Sequence, residues 1–197
     1  MDDWVLKALQ RWPNVPALFG WLGLDRRGRW LIQGGTITHP RIVETINRNY
    51  AADEHGRWYF QNGPQRGYMR LESTPLILFV AEDQQGLATH TGRPVERVTN
   101  AYLDEDGALM LLTEHGPGEL FGADLSWALE RMSALDDEAL ASALELPSGS
   151  ATDITLSIGS SPVRLHRLNF ADAPCALGFV REPAPREGEK TATKAMD

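Results

Sequence analysis

Cysteine is nearly absent from this sequence, and so are the features that would place the chain outside the cell or in a membrane. One cysteine, Cys175, occurs in 197 residues, so no disulfide can form within the chain. Such a chain is typical of a reducing compartment. The longest apolar run, residues 75–81, is too short to cross a bilayer, and the acidic start Met1-Asp2-Asp3 lacks the positive charge of a secretory signal. We therefore predict a cytoplasmic protein.

Positive charge is also scarce. The 19 Lys and Arg residues are outnumbered by 27 Asp and Glu, which gives a formal net charge of −8. Residues 183–197 hold equal numbers of basic and acidic side chains, so the rest of the chain carries the whole negative charge. An acidic surface repels phosphate backbones and anionic lipid headgroups. The composition therefore predicts neither a nucleic-acid partner nor a membrane partner.

Familiar catalytic and cofactor motifs are missing. The sequence has no G-x-S-x-G elbow, no G-x-x-x-x-G-K phosphate loop and no G-x-G-x-x-G fingerprint. Its five histidines show no metal-ligand spacing, and the acidic run 104–106 lacks the pattern of a calcium loop. Cys175 opens an apolar stretch, which favours a small buried residue over a nucleophile. We expect no catalytic residues, no metal site and no cofactor.

What the sequence does contain is a series of short strand patterns with a few helices between them. Helical spacing or capping marks residues 2–12, the segment after Thr38-His39-Pro40, and segments from about Ala123 and from Asp136. Short apolar stretches bounded by Gly, Pro and Asp indicate strands, the last of them at residues 175–181. The pattern predicts an α+β fold, mostly antiparallel sheet, with an N-terminal helix.

Two stretches, DRRGRWLIQ at residues 25–33 and DEHGRWYFQ at residues 53–61, share the pattern Asp-x-x-Gly-Arg-Trp. A third copy at residues 104–112 keeps the Asp, the Gly and the apolar strand but lacks the Arg and the Trp. An Asp can accept backbone hydrogen bonds in a turn, and Gly can adopt positive φ. We therefore interpret the pattern as a turn followed by a strand. The alternative, a stacking platform formed by Trp30 and Trp58, is weaker in an acidic chain.

Two longer similarities suggest an internal duplication. Residues 24–33 resemble residues 103–112, and residues 64–80 resemble residues 162–180, in the same order. We predict two strand–helix–antiparallel-strand motifs, at residues 17–94 and 95–182. Residues 1–16 would form the N-terminal helix and a linker. Residues 183–197 would be disordered, because this tail has almost nothing to bury.

The polar segment 62–68, together with the residues around Tyr50, is the strongest candidate for a binding site. Amides, guanidinium groups and aromatic rings are dense there. A guanidinium could bind an anion, the amides could form hydrogen bonds, and a tyrosine ring could form a wall. The alternative is that these groups satisfy buried backbone where strands cross. The candidate ligand-binding residues are Arg48, Tyr50, Asn62, Gln65, Arg66 and Tyr68.

The same region resembles the core of an uncharacterised proteobacterial family. The matching runs are HP at residues 39–40, RNYA at 48–51, GRWYFQNGPQR at 56–66 and LESTP at 71–75. This chain has Gly67 where that family is expected to have Val, and Leu76 where it is expected to have Trp. A more distant resemblance, carried by the Gly-x-Trp strands and Thr99-Asn100, is to another bacterial family of unknown function. That family has two repeated structural motifs and a suggested signalling role.

These resemblances imply an α+β duplication without known catalysis. We therefore predict a non-catalytic cytoplasmic module that binds a small polar ligand or serves in regulation or signalling. One alternative is a protein-interaction scaffold or homo-oligomer, in which exposed Trp and Tyr side chains anchor the partner. Another alternative, less favoured, is an enzyme of unrecognised type.

Overall fold

The structure, a computed structural model, describes residues 1–12, 15–133, 136–158 and 161–191, and the chain divides into two compact units. The first unit contains residues 1–25, 29–72 and the chain from residue 179 onward, and the second contains residues 26–28 and 73–178. As predicted, the fold is mixed α+β and mostly sheet. Within the described ranges, no helix has both the length and the apolar character needed to cross a bilayer.

The first unit contains one six-stranded sheet and two helices, α1 (Asp3–Arg11) and α2 (Pro40–Arg48). Its strands are β1 (Leu18–Leu24), β2 (Trp30–Ile32), β3 (Gly35–Thr36), β4 (Tyr50–Ala52), β5 (Trp58–Asn62) and β6 (Gln65–Leu71). They lie in the order β3-β2-β1-β6-β5-β4. The β1–β6 pair is parallel and the other pairs are antiparallel.

Aromatic side chains from both Asp-x-x-Gly-Arg-Trp copies form part of the core of this unit. The ring of Tyr50 lies 4.8 Å from that of Trp30 and 4.9 Å from that of Trp58. All three side chains are buried. The indole N–H of Trp30 donates to Asn47 Oδ1 on α2 at 2.7 Å, so it ties the helix to the sheet. The two Trp residues are therefore structural, as the preferred interpretation held.

The turns that begin at Asp25, Asp53 and Asp104 have the same backbone hydrogen bonds. In each, the Asp N–H donates to the carbonyl four residues later, over 3.1, 2.9 and 3.0 Å. In each, Oδ1 of the Asp accepts the N–H of that same residue, over 2.8, 3.0 and 2.8 Å. The Gly of each turn has positive φ, at 75°, 73° and 81°. The predicted turn chemistry is thus confirmed in all three copies.

The second unit contains a nine-stranded sheet. Its strands are β7 (Leu76–Val80), β8 (Leu87–Thr89), β9 (Pro94–Val95), β10 (Val98–Leu103), β11 (Leu109–Thr113), β12 (Gly116–Leu120), β13 (Met132–Ser133), β14 (Ala151–Ile158) and β15 (Ser161–Arg167). They lie in the order β13-β14-β15-β10-β11-β12-β7-β8-β9, with β10–β15 and β12–β7 parallel. The helices are α3 (Leu125–Leu129), which follows a 3-10 turn (Gly122–Asp124), α4 (Asp137–Glu145) and α5 (Ala173–Leu177).

The strand predicted at residues 175–181 is wrong, because this segment begins inside the helix α5. Pro174 lies in the first turn, where its missing N–H has no intrahelical partner, and Gly178 ends the helix with φ of 71°. The short apolar run did not distinguish a strand from a helix. Cys175 is exposed on this helix rather than buried, so that expectation is also corrected.

The duplication is not confirmed with the predicted limits, 17–94 and 95–182. Residues 64–80 contain β6 and β7, whereas residues 162–180 contain most of β15 followed by α5. A recurrence does exist in the strand pairing, with other limits. In β1–β6 and again in β7–β12, the first strand pairs in parallel with the sixth, and two antiparallel meanders flank that pair. The boundary between the compact units follows Glu72 rather than residue 94.

The C-terminal segment differs from the disordered tail expected from residue 183. Through Thr191 it is part of the first unit. The N–H of Ala17 donates to the carbonyl of Lys190 at 2.9 Å, and Ala17 forms a parallel bridge with Thr191. Residues 192–197 lie outside the described residues. The composition pointed to disorder because this segment brings few apolar side chains. Its hydrogen bonds and the ion pair between Glu189 and Arg57 join it to the rest of the first unit instead.

Candidate functional site

The hairpin of β5 and β6 divides the predicted binding residues between the two faces of the first sheet. Gln61 lies opposite Arg66, and Asn62 lies opposite Gln65. Because side chains alternate along a strand, neighbouring pairs in this ladder point to opposite faces. Arg66 and Tyr68 therefore share one face, and Asn62 and Gln65 share the other. The segment 62–68 does not form a single site.

The face with Arg66 and Tyr68 is built around Arg57, a residue that sequence reasoning assigned only to the turn pattern. Arg57 Nε donates to Asp53 Oδ2 at 2.8 Å, and Nη2 donates to the Tyr68 hydroxyl at 3.0 Å. The Tyr68 hydroxyl donates in turn to Asp53 Oδ2 at 3.1 Å. The guanidinium lies 4.5 Å from the centroid of the Tyr68 ring, which stacks on Phe19 at 4.5 Å. These contacts hold the buried guanidinium on one edge and one face.

The remaining edge of the Arg57 guanidinium meets a carboxylate from the C-terminal segment. Nη1 donates to Glu189 Oε2 at 2.8 Å, and Nη2 donates to Glu189 Oε1 at 2.6 Å. Hydrogen bonds from Arg57 lower the pKa of Glu189 to about 2. Burial raises the pKa of Asp53, but hydrogen bonds from the Arg57 backbone and guanidinium outweigh it, so that pKa is lowered. Both carboxylates are therefore ionised at neutral pH and share one guanidinium.

Arg66 makes a second arginine–tyrosine contact on the same face. Its guanidinium lies 4.5 Å from the centroid of the Tyr59 ring, and Nε donates to Gln61 Oε1 at 3.3 Å. The Tyr59 and Tyr68 rings meet edge to face at 5.7 Å. Burial raises the pKa of Tyr68, so its hydroxyl stays protonated and can donate to Asp53. Arg66, the group predicted to bind an anion, thus lies over the Tyr59 ring, and the Tyr68 ring adjoins Tyr59.

The opposite face of the sheet forms a cavity of about 210 Å³ against α2, which we call the α2 pocket. The helix contributes Ile42 and Ile46. Asn62 and Gln65 provide amide groups, and Gln65 Nε2 donates to the carbonyl of Pro16 at 3.1 Å. The apolar side chains that the sheet and its loops contribute are Leu18, Leu22, Ile32, Ile37 and Phe60. No charged side chain lines the described part of this pocket.

Trp21 also lines the α2 pocket and carries an unusual polar atom. Its indole N–H is buried and meets no acceptor among the described residues. Buried donors in proteins are nearly always paired, since an unmade hydrogen bond costs about 1–3 kcal/mol. Ile32 and Ile42, two other lining residues, are strongly exposed for their type. The pocket therefore has accessible apolar surface, and one of its lining side chains carries a buried donor without an acceptor among the described residues.

Arg48 and Tyr50, the two remaining predicted binding residues, belong neither to the cluster around Arg57 nor to the α2 pocket. Arg48 is exposed at the end of α2 and forms ion pairs with Asp2 and Glu44. Tyr50 is a core residue, and burial raises its pKa well above the usual value. Their functions in the structure are to fix α1 against α2 and to fill the core.

The residues that sequence reasoning missed are Phe19, Trp21, Arg57 and Glu189. Arg57 carried a usable signal, since Arg recurs four residues after Asp in two of the three turn copies. Glu189 lay in a segment whose composition indicated disorder. Only the fold brings it to Arg57, 132 positions away in the sequence. In the described ranges, no three or more His, Cys, Asp and Glu side chains form a group able to hold a metal ion.

Comparison with known families assigns most of the chain to one family. A family model named DUF2944, with the description "Protein of unknown function (DUF2946)", matches residues 1–184. The chain belongs to this family. The resemblance to an uncharacterised family is therefore confirmed, and family membership assigns no activity. No curated protein matches the chain.

Two solved structures to which the chain is similar also come from a family of unknown function. A DUF1285 family protein from Silicibacter pomeroyi DSS-3 has a TM-score of 0.50 and 14% identity, over 81% of this chain and 87% of that chain. Another DUF1285 family protein, from Shewanella baltica OS155, has a TM-score of 0.41 and 17% identity, over 54% of this chain and 87% of that chain. The likeness to the Silicibacter protein shows a related fold and says nothing about ligand or activity.

Proposed function

We propose that this protein is a non-catalytic binding module and that the α2 pocket is its small-molecule site. The observation that carries the proposal is the buried indole N–H of Trp21, which has no acceptor among the described residues and belongs to a side chain that lines this largely apolar pocket. Binding sites combine apolar walls with a few directed polar groups. A ligand carbonyl on this N–H would satisfy a donor that costs stability while it is unpaired.

The size and charge of the α2 pocket narrow the ligand class. An apolar cavity of about 150 Å³ accommodates benzene, so a pocket of about 210 Å³ suits one ring with a short substituent. A charged ligand group would be buried without a partner, because none of the lining residues is charged. We therefore propose a neutral ligand with one ring and one hydrogen-bond acceptor.

Three probes that each contain one benzene ring test whether the pocket prefers a neutral ligand with a hydrogen-bond acceptor. Acetophenone carries a neutral acceptor, ethylbenzene carries none, and benzoate carries a charge. Trp21→Phe removes the N–H together with the smaller ring of the indole, so ethylbenzene serves as the control for the lost ring. Ligand-observed NMR should show acetophenone binding the wild type about tenfold more tightly than it binds Trp21→Phe, because only acetophenone accepts a hydrogen bond from the N–H. Ethylbenzene should bind both proteins alike, and benzoate should bind neither. Equal affinity of acetophenone for both proteins would remove the role proposed for Trp21.

A second variant blocks the same pocket by a different route. A Cβ added at Gly67 would lie 2.6 Å from Leu22 Cδ1, so Gly67→Ala should push Leu22 into the cavity. Acetophenone binding should then weaken at least tenfold. Gly122→Ala is the matched control, because a Cβ there meets no atom within 4 Å. If Gly67→Ala binds acetophenone as well as the control does, the ligand does not occupy this pocket.

A protein-interaction function is the second candidate, and α1 supports it. Of the large hydrophobic side chains that are strongly exposed in the described ranges, most lie in or next to this helix: Met1, Trp4, Leu6 and Trp12. Aromatic residues of this kind anchor protein interfaces. Light scattering after size exclusion, for the wild type and for Trp4→Ser with Trp12→Ser, tests a homo-oligomer. If both samples are monomeric, the protein does not form a homo-oligomer, and an interaction through α1 would need a different protein as its partner. The single cysteine supports a cytoplasmic location for either function.

We also propose an internal duplication with limits different from those predicted, namely β1–β6 and β7–β12. The shared pairing order supports it. So do the similar sequences NYAADEHG at residues 49–56 and NAYLDEDG at residues 100–107. An experimental structure tests it: the six strands of each array should superpose in order. If the superposition aligns only one of the two three-strand meanders, the similarity between the arrays is a chance one.

A further inference from the structure

The Arg57 guanidinium has the geometry of a carboxylate-binding site built by the first unit alone. Asp53 and Tyr68 fix its position through Nε and Nη2. These two contacts leave N–H donors on Nη1 and Nη2 that point to the same side. That edge of the guanidinium can engage both oxygens of one carboxylate, as it does with Glu189. With Glu189 in place, the Arg57 side chain is only 6% exposed and the Glu189 side chain 31% exposed, so the guanidinium is shielded from water and the carboxylate is shielded in part.

Arg29 provides an internal reference for this site. It occupies the same position in the first turn copy, and its Nε donates to Asp25 Oδ2 at 2.7 Å. Its side chain is nevertheless 50% exposed, against 6% for Arg57. The turn by itself therefore does not bury the guanidinium. The additional groups at Arg57 are the Tyr68 and Phe19 rings and the C-terminal segment.

The C-terminal segment 183–191, which we call the strap, presents Glu189 from a turn. The N–H of Glu189 donates to the Arg186 carbonyl at 3.0 Å, and Gly188 adopts φ of 83°, as such a turn requires. The Arg186 N–H donates to Glu189 Oε2 at 2.8 Å. The Ala184 carbonyl accepts from Arg57 Nη1 at 3.2 Å. The strap thus reaches Arg57 through one side chain and one carbonyl.

We propose that Arg57 is a binding site for a glutamate carboxylate of a peptide segment, and that the strap occupies it as an internal ligand through Glu189. The site is separate from the α2 pocket, since Arg57 and the pocket residues lie on opposite faces of the sheet. Removing the Glu189 carboxylate releases the strap and leaves Arg57, Tyr68 and Phe19 open to a segment supplied from elsewhere.

The first test replaces Glu189 with Gln in the full chain, which keeps the shape and removes the charge. Amide exchange should become at least tenfold faster at Arg186 and at Ala17, whose N–H donates to Lys190. Glu187→Gln is the matched control, because Glu187 is exposed and the change in net charge is the same. Exchange in β5 should stay as in the wild type. If Glu189→Gln exchanges like the control, the strap is held by other contacts and the inference is wrong.

The second test asks whether Arg57 binds a carboxylate in trans. A synthetic peptide of residues 183–191 is titrated into the Glu189→Gln chain, and the Arg57 Nε–Hε signal is followed by NMR. We expect this signal to shift with the peptide and to stay unchanged with the same peptide carrying Gln at position 189. The wild-type chain should respond at least tenfold more weakly, because its own strap competes. Equal responses to both peptides would show that Arg57 does not recognise the carboxylate.

Discussion

The turns at Asp53 and Asp104 occupy equivalent places in the two sheets, and their carboxylates meet opposite conditions. Each turn joins the fourth and fifth strands of its six-strand array, and each has the same backbone bonds. At Asp53, the second oxygen accepts hydrogen bonds from Arg57 and Tyr68. At Asp104, Ala108 replaces the arginine, and Oδ2 is buried with no donor among the residues that the structure describes.

The pKa values follow this difference. Burial raises the pKa of Asp104 because no cation offsets the lost hydration. Burial also acts to raise the pKa of Asp53. Hydrogen bonds from Arg57 outweigh this effect, so the pKa of Asp53 is lowered. The comparison shows that the turn needs only one carboxylate oxygen. The residue four positions after the Asp decides whether the second oxygen is paired. In the turn at Asp53 that residue, Arg57, also forms two hydrogen bonds with Glu189 of the strap.

The largest effect should come from removing Arg57. Arg57→Met leaves the Asp53 carboxylate buried without its cation, so the free energy of unfolding should fall by about 3–5 kcal/mol. Arg29→Met is the matched control in the first turn copy, where exposure to solvent limits the loss to about 1 kcal/mol. Urea denaturation of both variants measures the two losses. Equal losses would mean that Arg57 serves only the turn.

A smaller effect should separate the two Asp residues themselves. Asp53→Asn weakens the bonds from Arg57 and should cost about 2 kcal/mol at pH 7. Asp104→Asn keeps the acceptor for the turn and removes an unpaired buried charge, so its cost should lie within about 0.5 kcal/mol of zero or favour the variant. Chemical denaturation at pH 7 compares them. A larger loss for Asp104→Asn than for Asp53→Asn would contradict the assignment of partners.

The stability contributed by Glu189, the second carboxylate on Arg57, and that contributed by Asp104 should change in opposite directions with pH. The pKa of Glu189 is lowered to about 2 from 4.5, so its contribution to stability is complete above pH 4.5 and is lost as the pH falls towards 2. The pKa of Asp104 is raised above 3.8, so its contribution is complete below pH 3.8 and is lost as the pH rises through the folded value. The stability deficit of Glu189→Gln should therefore shrink on acidification from pH 4.5. The advantage of Asp104→Asn should grow as the pH rises from 3.8. Unfolding measured across this range checks both slopes.

The smallest expected effect tests the comparison by making the second turn resemble the first. Ala108→Arg offers Asp104 Oδ2 the donor that Arg57 gives to Asp53. It should stabilise the protein by about 1 kcal/mol or less, since the new side chain must also be ordered. The clearer readout is the carboxyl carbon of Asp104 in an NMR titration, where the pKa should decrease. An unchanged pKa would show that backbone geometry alone does not place the arginine.

Much of the local structure could be predicted from the sequence. Thr38-His39-Pro40 marked the start of α2, and Asp136 caps α4 by accepting the Ala139 N–H. The candidate site was predicted only in part, since density of polar residues along a strand does not show which face each one occupies. The segment at residue 175 failed for another reason. Five residues of helix have too little periodicity to be distinguished from a strand.

The sequence by itself determined the three Asp-x-x-Gly turns, because their hydrogen bonds join residues at most four positions apart. It also determined the mixed α+β character and the family. Only the tertiary structure decided that Trp21 lines a pocket with α2 and that Glu189 meets Arg57. The physical reason is that burial and pairing depend on which distant strands and segments pack together. A composition such as that of the strap leaves this undetermined: backbone hydrogen bonds and the Glu189–Arg57 ion pair join a segment with few apolar side chains to the rest of the first unit.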